Sequence, residues 1–530
     1  MPKKSSRSAP VETARVKTVT SPVQTERSSA QTLPTVTLSP RGVARIKSGH
    51  PWVYRSDIAS ADGVPPGAMV EVADHRGKLL GTALYSSSSQ IAIRMIAGPD
   101  APVDDLPTLI AERIRAAIAY RQPLVSDTDA YRLVFSEADF LPGLIIDKYN
   151  DVVSVQILTQ AMDAEPVRGA IVATLVEDLS PAGIVERIDP RIRDLEQLPA
   201  RESGLVWGNK SSTEIAMNSE SSAAQQSAEK VFGSLDLPPA AGSRHSFDDT
   251  YGTSGTRALP RTNPKLNFPA NRNAALEEPE SAAAIKRSAT PKQDHSADQT
   301  SGDVATHENA TERGIRFHYD ALEGQKTGAF LDQRENYAAA AHYAHGDALD
   351  VFCYEGGFAL HLAAKCSSIT GVDSSRPALE MAEKNGALNS QLLEGKEIEW
   401  IEANAFDLLR DYAGGSRDTG RHASKKYDTI VLDPPAFAKT KRDLDKARSG
   451  YKELNLRALK MLAPGGILVT CSCSFPVSAA DLLEVVAAAA IDAHKTLRLL
   501  ESRSQAKDHP ILLNVPETGY LKCLMFIVSD

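Results

Sequence analysis

The C-terminal part of the chain alternates short apolar runs with longer amphipathic ones, a pattern that predicts alternating strands and helices. Strands are predicted at ALDVF, SSITGVD, IEWIEAN, YDTIVLD and GGILVTCSC. Helices are predicted between them at FALHLAAK, RPALEMAEKNGALN, GYKELNLRALKML and AADLLEVVAAAAIDAH. Such alternation is typical of a mainly parallel sheet with helices on both faces. Ligands of these sheets bind at the carboxyl ends of the strands.

The first 208 residues show a different pattern, with β-rich runs near the N-terminus and a mixture of helix and strand after them. Residues 35–100 contain runs such as AMVEVAD and LLGTALYS, interrupted by Gly and Pro, which predict a small β-rich domain. Residues 101–208 combine the helical segments DLPTLIAERIRAAIAYRQ and AEPVRGAIVATLVEDL with strands such as VVSVQIL and AGIVERID. They predict an α+β middle domain.

Two segments lack apolar periodicity. Residues 1–34 are rich in Ser, Thr, Pro and Lys, and residues 209–313 are rich in Ser, Ala, Thr, Asn and Pro. Such compositions cannot bury enough apolar surface to offset the entropy of an ordered chain. We therefore expect a disordered tail and a disordered insertion, with a folded domain at residues 314–530.

The cysteine content and the lengths of the apolar runs indicate the cellular compartment. The 530 residues include five cysteines, an odd number without framework spacing, which favours free thiols in a reducing compartment. No apolar run reaches the roughly 18 residues of a membrane span, and the N-terminus lacks the apolar centre of a signal peptide. A cytoplasmic protein without membrane contact is expected.

Charge is unevenly distributed along the chain. The net charge is −9, yet residues 1–60 carry ten Lys or Arg against three Asp or Glu. Such a stretch can face phosphates, although a solvated tail and ordinary surface explain it equally well. Within it, His50, Trp52, Tyr54 and Arg55 combine aromatic rings with positive charge, which can stack on RNA and neutralise it. Packing of Trp52 in the core is the alternative that we favour.

Glycine and polar residues follow the predicted strands where a nucleoside cofactor would bind. Gly356 and Gly357 allow a tight turn after ALDVF, with close approach of the backbone to a ligand. Asp373 ends the second strand, where an acid can accept both hydroxyls of a ribose, and Asn404 after the third can read the edge of adenine. Asp433, followed by two prolines, would face the transferred group. Since the pyrophosphate-binding GxGxxG motif is absent, S-adenosylmethionine fits better than NAD or FAD.

Several motifs, in order, resemble those of one enzyme family. They are GHPWVYRSDI, LPGLIIDKYND, KTGAFLDQREN, DVFCYEGGFALHLA, GVDSS, LDPPAFAKTK and SCS. Over residues 36–208 and 314–530 the chain resembles the PUA-domain-containing, S-adenosylmethionine-dependent rRNA methyltransferases of the large-subunit cytosine-5 methyltransferase I type. The resemblance implies an α/β fold: a class I, Rossmann-like methyltransferase domain, an N-terminal β-rich PUA-like RNA-binding domain and an α+β middle domain.

The resemblance also implies site residues. Cofactor contacts would come from Gln333, Arg334, Phe352, Tyr354, Gly356, Gly357, Asp373, Asn404, Ala405, Asp433 and Pro434. RNA contacts would come from Arg45, Lys47, His50, Trp52 and Arg55. The family has Thr where Glu355 stands and Asp where Asn404 stands.

Two further polar segments remain. The cluster in KTGAFLDQREN is either a network between strands or, as the resemblance implies, in part a wall of the cofactor pocket; its members are Lys326, Asp332, Gln333 and Arg334. DHP at 508–510 is interpreted as a simple turn.

The two cysteines of "CSC" raise the question of a nucleophile. Cytosine C5 is a poor nucleophile, so its methylation needs a thiolate that adds to C6. The sheet order brings the end of the fifth strand beside the turn after the fourth, so Cys473 is expected near Asp433, which can hold the base. The resemblance aligns Cys473 with the nucleophile, while Cys471 lies deeper on the same face. An inert buried thiol is the alternative, and metal binding is not expected because no second ligand pair follows.

The expected function is formation of 5-methylcytosine in 23S ribosomal RNA, free or in a pre-50S particle, by a chain that can form a homodimer. Two alternatives stay open. DPPAF also resembles the Asp-Pro-Pro-aromatic turn of enzymes that methylate the exocyclic amine of guanine (N2) or adenine (N6), and Cys473 would then be structural. A non-catalytic RNA-binding ribosome assembly factor would use the PUA-like domain alone, and the intact strand-end residues argue against it.

Overall fold

The computed structural model describes residues 33–126, 128–208, 308–312, 314–320, 327–391, 393–414 and 425–529. Residues 1–32 of the predicted tail and 209–307 of the predicted insertion lie outside this range. Within the described residues, no helix is both long enough and apolar enough to cross a membrane.

The N-terminal region forms a six-stranded sheet with the order β2-β6-β5-β4-β1-β3. Its strands are β1 Thr35–Leu38, β2 Trp52–Tyr54, β3 Ile58–Ser60, β4 Met69–Ala73, β5 Leu79–Tyr85 and β6 Ile91–Ala97. A helix, α1 Pro40–Lys47, also lies here, where the pattern predicts only strands. It forms because Ser39 caps its N-terminus, accepting from the Gly42 amide at 3.3 Å, and Pro40 fits its first turn.

The middle region forms a five-stranded sheet with the order β11-β10-β9-β8-β7. Its strands are β7 Ala130–Phe135, β8 Leu144–Tyr149, β9 Val152–Ile157, β10 Gly183–Glu186 and β11 Gly204–Gly208. Its helices are α2 Leu106–Arg121, α3 Glu165–Leu179 and α4 Pro190–Glu196. The α2 and α3 helices bury Ile and Leu side chains in one apolar core with β7, β8 and β9, as an α+β arrangement requires.

The C-terminal region forms a seven-stranded sheet, which confirms the predicted α/β class. Its strands are β14 Asp347–Val351, β15 Ser368–Asp373, β16 Glu397–Glu402, β17 Tyr427–Leu432, β18 Leu462–Ser472, β19 Thr496–Arg503 and β20 Lys522–Ser529. The order is β16-β15-β14-β17-β18-β20-β19, in which β14 to β18 run parallel. The last inserted strand, β20, is antiparallel to both of its neighbours. Because the order reverses after β14, the carboxyl ends of β14 and β17 border a crevice.

Within the described residues, six helices accompany these strands, one before the first strand and five after it. They are α5 Arg334–Tyr343, α6 Gly357–Leu362, α7 Arg376–Leu388, α8 Ala405–Gly414, α9 Leu444–Met461 and α10 Ala479–Asp492. The α8, α9 and α10 helices pack on one core cluster, and α5 and α6 contribute to a second. The sheet is therefore covered on both faces, as the alternating pattern predicts.

A short hairpin precedes this sheet, formed by β12 Glu308–Glu312 and β13 Ile315–Tyr319. The prediction of a structureless segment through residue 313 is thus wrong at its end, because 308–312 pair with β13. Asn385 of α7 and Asn389, directly after α7, hold β13 by accepting from the amides of His318 and Arg316 at 2.7 and 2.9 Å.

A buried ionic network joins the five-stranded sheet to the seven-stranded one. Arg132 of β7 forms a bidentate pair with Asp147 of β8, both contacts 2.8 Å long. Asp508 accepts from the Arg132 amide at 2.8 Å and pairs with Arg334 at 3.0 Å, while its carbonyl accepts from Arg121 at 2.9 Å. The predicted turn is present, with the His509 amide donating to the Ala506 carbonyl at 2.9 Å, but it is more than a simple turn, since Asp508 is fully buried and bridges two sheets.

Candidate active site

The loop after β14 folds back onto the end of β15. The amides of Phe352 and Cys353 both donate to the Val372 carbonyl, at 2.8 and 3.0 Å. The Tyr354 amide donates to Asp373 Oδ2 at 3.0 Å. Phe352 and Tyr354 have positive φ values of 66° and 49°, which L-residues rarely adopt. The predicted cofactor residues Phe352, Tyr354 and Asp373 are thus brought together in one tight turn.

Gly356 and Gly357 complete this turn and open α6. Gly356 has a φ of 86°, and a Cβ placed there would lie 2.9 Å from the Trp400 ring. A Cβ on Gly357 would lie 2.6 Å from the Tyr337 ring. Any side chain at either position would therefore need these rings to move, so the packing around this turn requires glycine at both positions.

Asp350, one residue before the end of β14, is a site residue that the sequence analysis did not single out. It is fully buried; its Oδ2 accepts from the Ala359 amide at 2.9 Å, and its Oδ1 has no partner among the described residues. Burial, reinforced by the carboxylates of Asp433 and Asp373, raises the pKa of Asp350 to about 8. The sequence feature that could have identified Asp350 is the presence of an acidic residue within the otherwise apolar run ALDVF.

Glu355 stands where the resembling family has Thr. Burial raises the pKa of its carboxyl to about 8, although a hydrogen bond with the Tyr354 side chain opposes the shift. Its carbonyl accepts from Asn385 of α7 at 3.0 Å. A neighbouring pocket reaches Gly357 and is walled by aromatic rings, namely Tyr149, Phe317, Tyr319, Phe330, Tyr337 and Tyr354.

Asn404 and Ala405 follow β16, as predicted. Asn404 also caps a helix. Its Oδ1 accepts from the amides of Phe406 and Asp407, at 3.0 and 3.3 Å, and so caps the N-terminus of α8. Because both acceptor positions of that oxygen are used, the amide nitrogen is the group that can reach an adenine edge. Ala405 is buried at the first turn of α8.

A chain of side-chain amides orients Asp433 at the end of β17. Gln333 Nε2 donates to Asp433 Oδ2 at 2.9 Å. Asn336 Nδ2 in turn donates to Gln333 Oε1 at 2.7 Å, and Arg503 Nε donates to Asn336 Oδ1 at 3.0 Å. These contacts fix which atom of Gln333 faces the carboxylate. The predicted pair of Gln333 and Asp433 is brought together, and Asn336 is an additional member.

Arg334, which was expected to contact the cofactor, binds within the protein instead. Its guanidinium donates to both carboxylate oxygens of Asp508, at 3.0 and 3.3 Å, and to the Ala130 carbonyl at 3.3 Å. These partners belong to the buried ionic network rather than to the strand ends. Asp332 likewise accepts from the Tyr520 hydroxyl, and Lys326 lies outside the described residues. The network interpretation of this segment accounts for Asp332 and Arg334.

Cys473 lies one residue beyond β18 and is partly exposed. Its Sγ is 4.0 Å from the Pro434 carbonyl oxygen, so the thiol lies beside the turn that follows Asp433. The flanking serines hold it there: the hydroxyls of Ser472 and Ser474 contact Tyr451 Oη of α9, at 2.8 and 3.0 Å.

Ser474 also ties the two loops together. Its hydroxyl accepts from the Ala438 amide at 3.1 Å, which anchors the far end of the DPPAFA segment. The backbone on both sides of the thiol and the turn with Pro434 are therefore fixed relative to each other.

Cys471 differs from Cys473 in exposure and in its surroundings. It lies within β18, directly opposite Cys523 of β20, and is completely buried. Burial raises the pKa of the Cys471 thiol well above its usual range, with further contributions from Cys523 and Asp433. Within the described ranges, no group of three or more His, Cys, Asp or Glu side chains could hold a metal ion.

The predicted RNA-binding residues all lie in the N-terminal region, on α1, β2 and the loops beside them, but some have internal partners. Arg45 stacks over the Tyr54 ring at 4.5 Å, and Lys47 is exposed at the end of α1. Arg55 donates to the carbonyls of Ser86 and Ser89, at 3.1 and 2.8 Å, so its guanidinium supports a loop. Lys47 is the most available of these cations.

His50 and Trp52 lie at contacts with other regions. Trp52 Nε1 donates to Glu137 of the middle region at 3.1 Å, and the Trp52 amide donates to His50 Nδ1 at 3.1 Å. His50 Nε2 is 3.5 Å from Glu517, and burial is the main cause that lowers the pKa of His50. Trp52 is half-buried, and its indole N–H is already bound within the protein.

Family models match two parts of the chain. Residues 36–97 match a PUA-like domain, and residues 280–526 match an S-adenosylmethionine-dependent methyltransferase. The predicted PUA-like domain and the predicted cofactor class are both confirmed by these matches.

Curated relatives match nearly the whole chain. Proteins named ribosomal RNA large subunit methyltransferase I from Shewanella denitrificans and Shewanella frigidimarina are 32% and 33% identical to it, each covering 92% of this chain and 98% of the relative. The protein of that name from Tolumonas auensis is 32% identical, over 90% of this chain and 94% of the relative.

Solved structures agree on the fold. A Streptococcus mutans protein, named as a candidate S-adenosylmethionine-dependent methyltransferase, superposes with a TM-score of 0.61 at 16% identity and covers 93% of this chain and 100% of its own. A candidate methyltransferase complexed with SAH gives a TM-score of 0.62, with the same identity and coverage. At this identity the likeness concerns the fold alone.

Proposed function

The chain belongs to the family named ribosomal RNA large subunit methyltransferase I, and from that premise we propose that it methylates C5 of a cytosine in large-subunit ribosomal RNA. The observation that carries the choice of C5 is the position of Cys473. Its partly exposed thiol lies at a strand end beside the turn that follows Asp433, where a base would meet the methyl donor.

The strand-end residues fit S-adenosylmethionine. When bound, this cofactor supplies an electrophilic methyl group. Gly356 and Gly357 permit the tight turn that opens α6. Each carboxylate oxygen of Asp373 accepts from one amide, that of Tyr354 or Ser375, and keeps a lone pair for a ribose hydroxyl. Asp350 fits as well, because its buried Oδ1 lacks a partner in the described part of the chain.

The chemistry assigned to Cys473 is covalent catalysis. The thiolate attacks C6, an S–C6 bond forms, and the C5–C6 π pair is released towards C5, which then takes the methyl group. Loss of the C5 proton to a base restores the double bond, and the S–C6 pair returns to sulfur. Asp433 would hold the base through N3 or the amino group, and Gln333 keeps its carboxylate oriented.

The main alternative is methylation of an exocyclic amine, which the DPPAF turn favours. There the aromatic residue after the prolines has to stack on the target base. Phe437 instead packs against Tyr451 and Phe406, with ring centroids 4.7 and 5.9 Å apart. These contacts, together with the exposed thiol, support the cysteine chemistry.

The partner and the compartment follow from the same premise. We propose that the substrate is 23S ribosomal RNA or a pre-50S particle, that the PUA-like domain contributes through Arg45 and Lys47, and that the protein acts in the cytoplasm. A homodimer stays a prediction.

Ribosomal RNA that carries 5-fluorocytosine tests the mechanism. Fluorine cannot leave as a proton, so the wild-type enzyme should be trapped on the RNA as an adduct that survives denaturing electrophoresis. Cys471→Ala is the matched control and should still form the adduct. Cys473→Ala should form none and should lose turnover, while it still binds S-adenosylmethionine in calorimetric titration.

Three outcomes would contradict the proposal in different ways. Normal methylation by Cys473→Ala would favour amine methylation. Loss of the adduct only in Cys471→Ala would move the nucleophile two residues earlier. RNA binding without methyl transfer to any ribosomal RNA would favour an assembly factor.

A further inference from the structure

Lys522 is a buried lysine at the first position of β20, and it lies directly opposite Ser472 in the antiparallel pairing with β18. Its side chain reaches the segment that carries Cys473, since Nζ donates to the Ser474 carbonyl at 2.7 Å. We propose that Lys522 is a positioning residue for Cys473, whose ammonium group stabilises the Cys473 thiolate and fixes the backbone beside it. This inference rests on the proposed function.

The ammonium group is held in place by two carbonyls. Besides Ser474, the Tyr520 carbonyl accepts from Nζ at 2.7 Å, and the residue is 8% exposed. An ammonium has three N–H donors, so one remains after these two contacts. Lysine is rarely buried unless its charge has a partner. The negative charges that act on Lys522 are those of Cys473 and, less strongly, Asp481.

The charges around the thiol agree with this assignment. Burial lowers the pKa of Lys522 to about 8, and the charges of Cys473 and then Asp481, near the start of α10, oppose that shift. Tyr451 of α9 also faces Cys473, but burial raises its pKa to about 12, so it is neutral. Asp433 contributes negative charge at the end of β17. Lys522 thus supplies positive charge where carboxylates would otherwise disfavour a thiolate.

A thiolate is needed twice in the proposed reaction. Free cysteine has a pKa of about 8.5 and is mostly protonated near pH 7, and a nearby lysine lowers this value. The thiol first loses its proton to solvent, and its electron pair forms the S–C6 bond. When the C5 proton has left, that bond breaks and the pair returns to sulfur beside the same ammonium. Lys522 therefore favours both the attack and the release.

Alkylation of the wild-type protein by iodoacetamide across a pH series tests the proposal without using catalysis. Cys473 is partly exposed while the other four cysteines are buried, so its reaction can be followed, with Cys473→Ala as the blank. In Lys522→Met the alkylation rate near pH 7 should fall about tenfold or more, since the charge that favours the thiolate is lost. Lys522→Arg should restore most of the rate.

Lys426→Met is the matched control. Lys426 is exposed and also donates to a carbonyl, that of Lys460 at 2.6 Å, yet it lies away from Cys473 in sequence and sheet position. Its alkylation profile should equal that of wild type. Should Lys522→Met melt below the assay temperature, Lys522→Gln, which keeps an N–H donor without the charge, takes its place.

The outcomes separate this inference from the proposed function. An unchanged alkylation profile in Lys522→Met and Lys522→Gln overturns the role of Lys522, even if wild type forms the 5-fluorocytosine adduct. A slower profile in a wild-type background that forms no adduct supports the thiolate stabilisation and overturns the cytosine mechanism.

Discussion

Asp508 carries the negative charge that joins the middle region to the methyltransferase sheet, and its removal should destabilise the folded protein strongly. The carboxylate is fully buried, pairs with Arg334 at 3.0 Å and accepts from the Arg132 amide at 2.8 Å. Asp508→Asn keeps the shape and one acceptor but removes the charge. The Arg334 guanidinium, itself 4% exposed, then stays buried without its counter-ion.

The magnitude follows from that burial. Breaking a buried ion pair by removing one partner costs about 3–5 kcal/mol, because the remaining charge stays desolvated. Asparagine keeps part of the hydrogen bonding, so we expect about 3 kcal/mol. Arg132 adds little to the loss, since its guanidinium keeps Asp147.

Urea unfolding followed by tryptophan fluorescence measures the change in the free energy of unfolding. The matched control is Glu380→Gln, which breaks the exposed Arg376–Glu380 pair on α7 and should cost only about 0.3–0.5 kcal/mol. A loss below about 1 kcal/mol in Asp508→Asn would refute the assignment of this contact as a buried ion pair.

The pH dependence provides a second check on the same residue. Burial opposes ionisation of Asp508, but its contacts with His509 and Arg334 prevail and hold its pKa well below the usual range. A lowered folded pKa means stability that is complete above the unfolded value of about 3.9 and is lost as the pH falls further. The difference between wild type and Asp508→Asn should therefore be constant from pH 5 to 8 and shrink only in stronger acid.

Two further predictions concern the cofactor loop. Gly357→Ala should lower the free energy of unfolding by about 1–3 kcal/mol in urea unfolding, since the Tyr337 ring has to move away from the new Cβ; Gly98→Ala, at an open position, should change it little. Asp350 has a folded pKa raised to about 8, so its contribution to stability falls as the pH rises from about 4 to 8. The melting temperature of Asp350→Asn relative to that of wild type should therefore be higher at pH 8 than at pH 5. An equal difference at both pH values would contradict this prediction.

The parallel part of the fold is predictable because its signals are local. The strands β15, β17 and β18 contain apolar runs typical of buried strands, β16 alternates charged and apolar residues, and the helices between the strands carry the helical period. The α1 helix escapes prediction because it is short and buries only Gly42 and Val43. The position of β20 between β18 and β19 also cannot be predicted, because an apolar run such as KCLMFIVS does not indicate which strands it pairs with.

The polar contacts that position the site residues cannot be predicted from the sequence for a different reason. Gln333 and Asp433 are 100 residues apart, and Arg132 and Asp508 are 376 apart. Such pairs have no sequence spacing to reveal them, and only the fold brings them together. An interpretation of residues 508–510 from local sequence therefore sees a turn, although Asp508 joins two sheets.

Strand periodicity alone does not distinguish the reactive thiol from the buried one, as Cys471 and Cys473 show. Residues two apart in a strand share a face, so the pattern alone treats the two thiols alike. Their environments differ because β18 ends at Ser472: Cys471 is enclosed opposite Cys523, whereas Cys473 follows the last paired residue, next to Pro434. Tyr451 holds the hydroxyls on both sides of Cys473, so that position is rigid although it lies outside the strand. A thiol at a rigid strand end is both accessible and fixed in place, which is what attack on a base held by Asp433 requires.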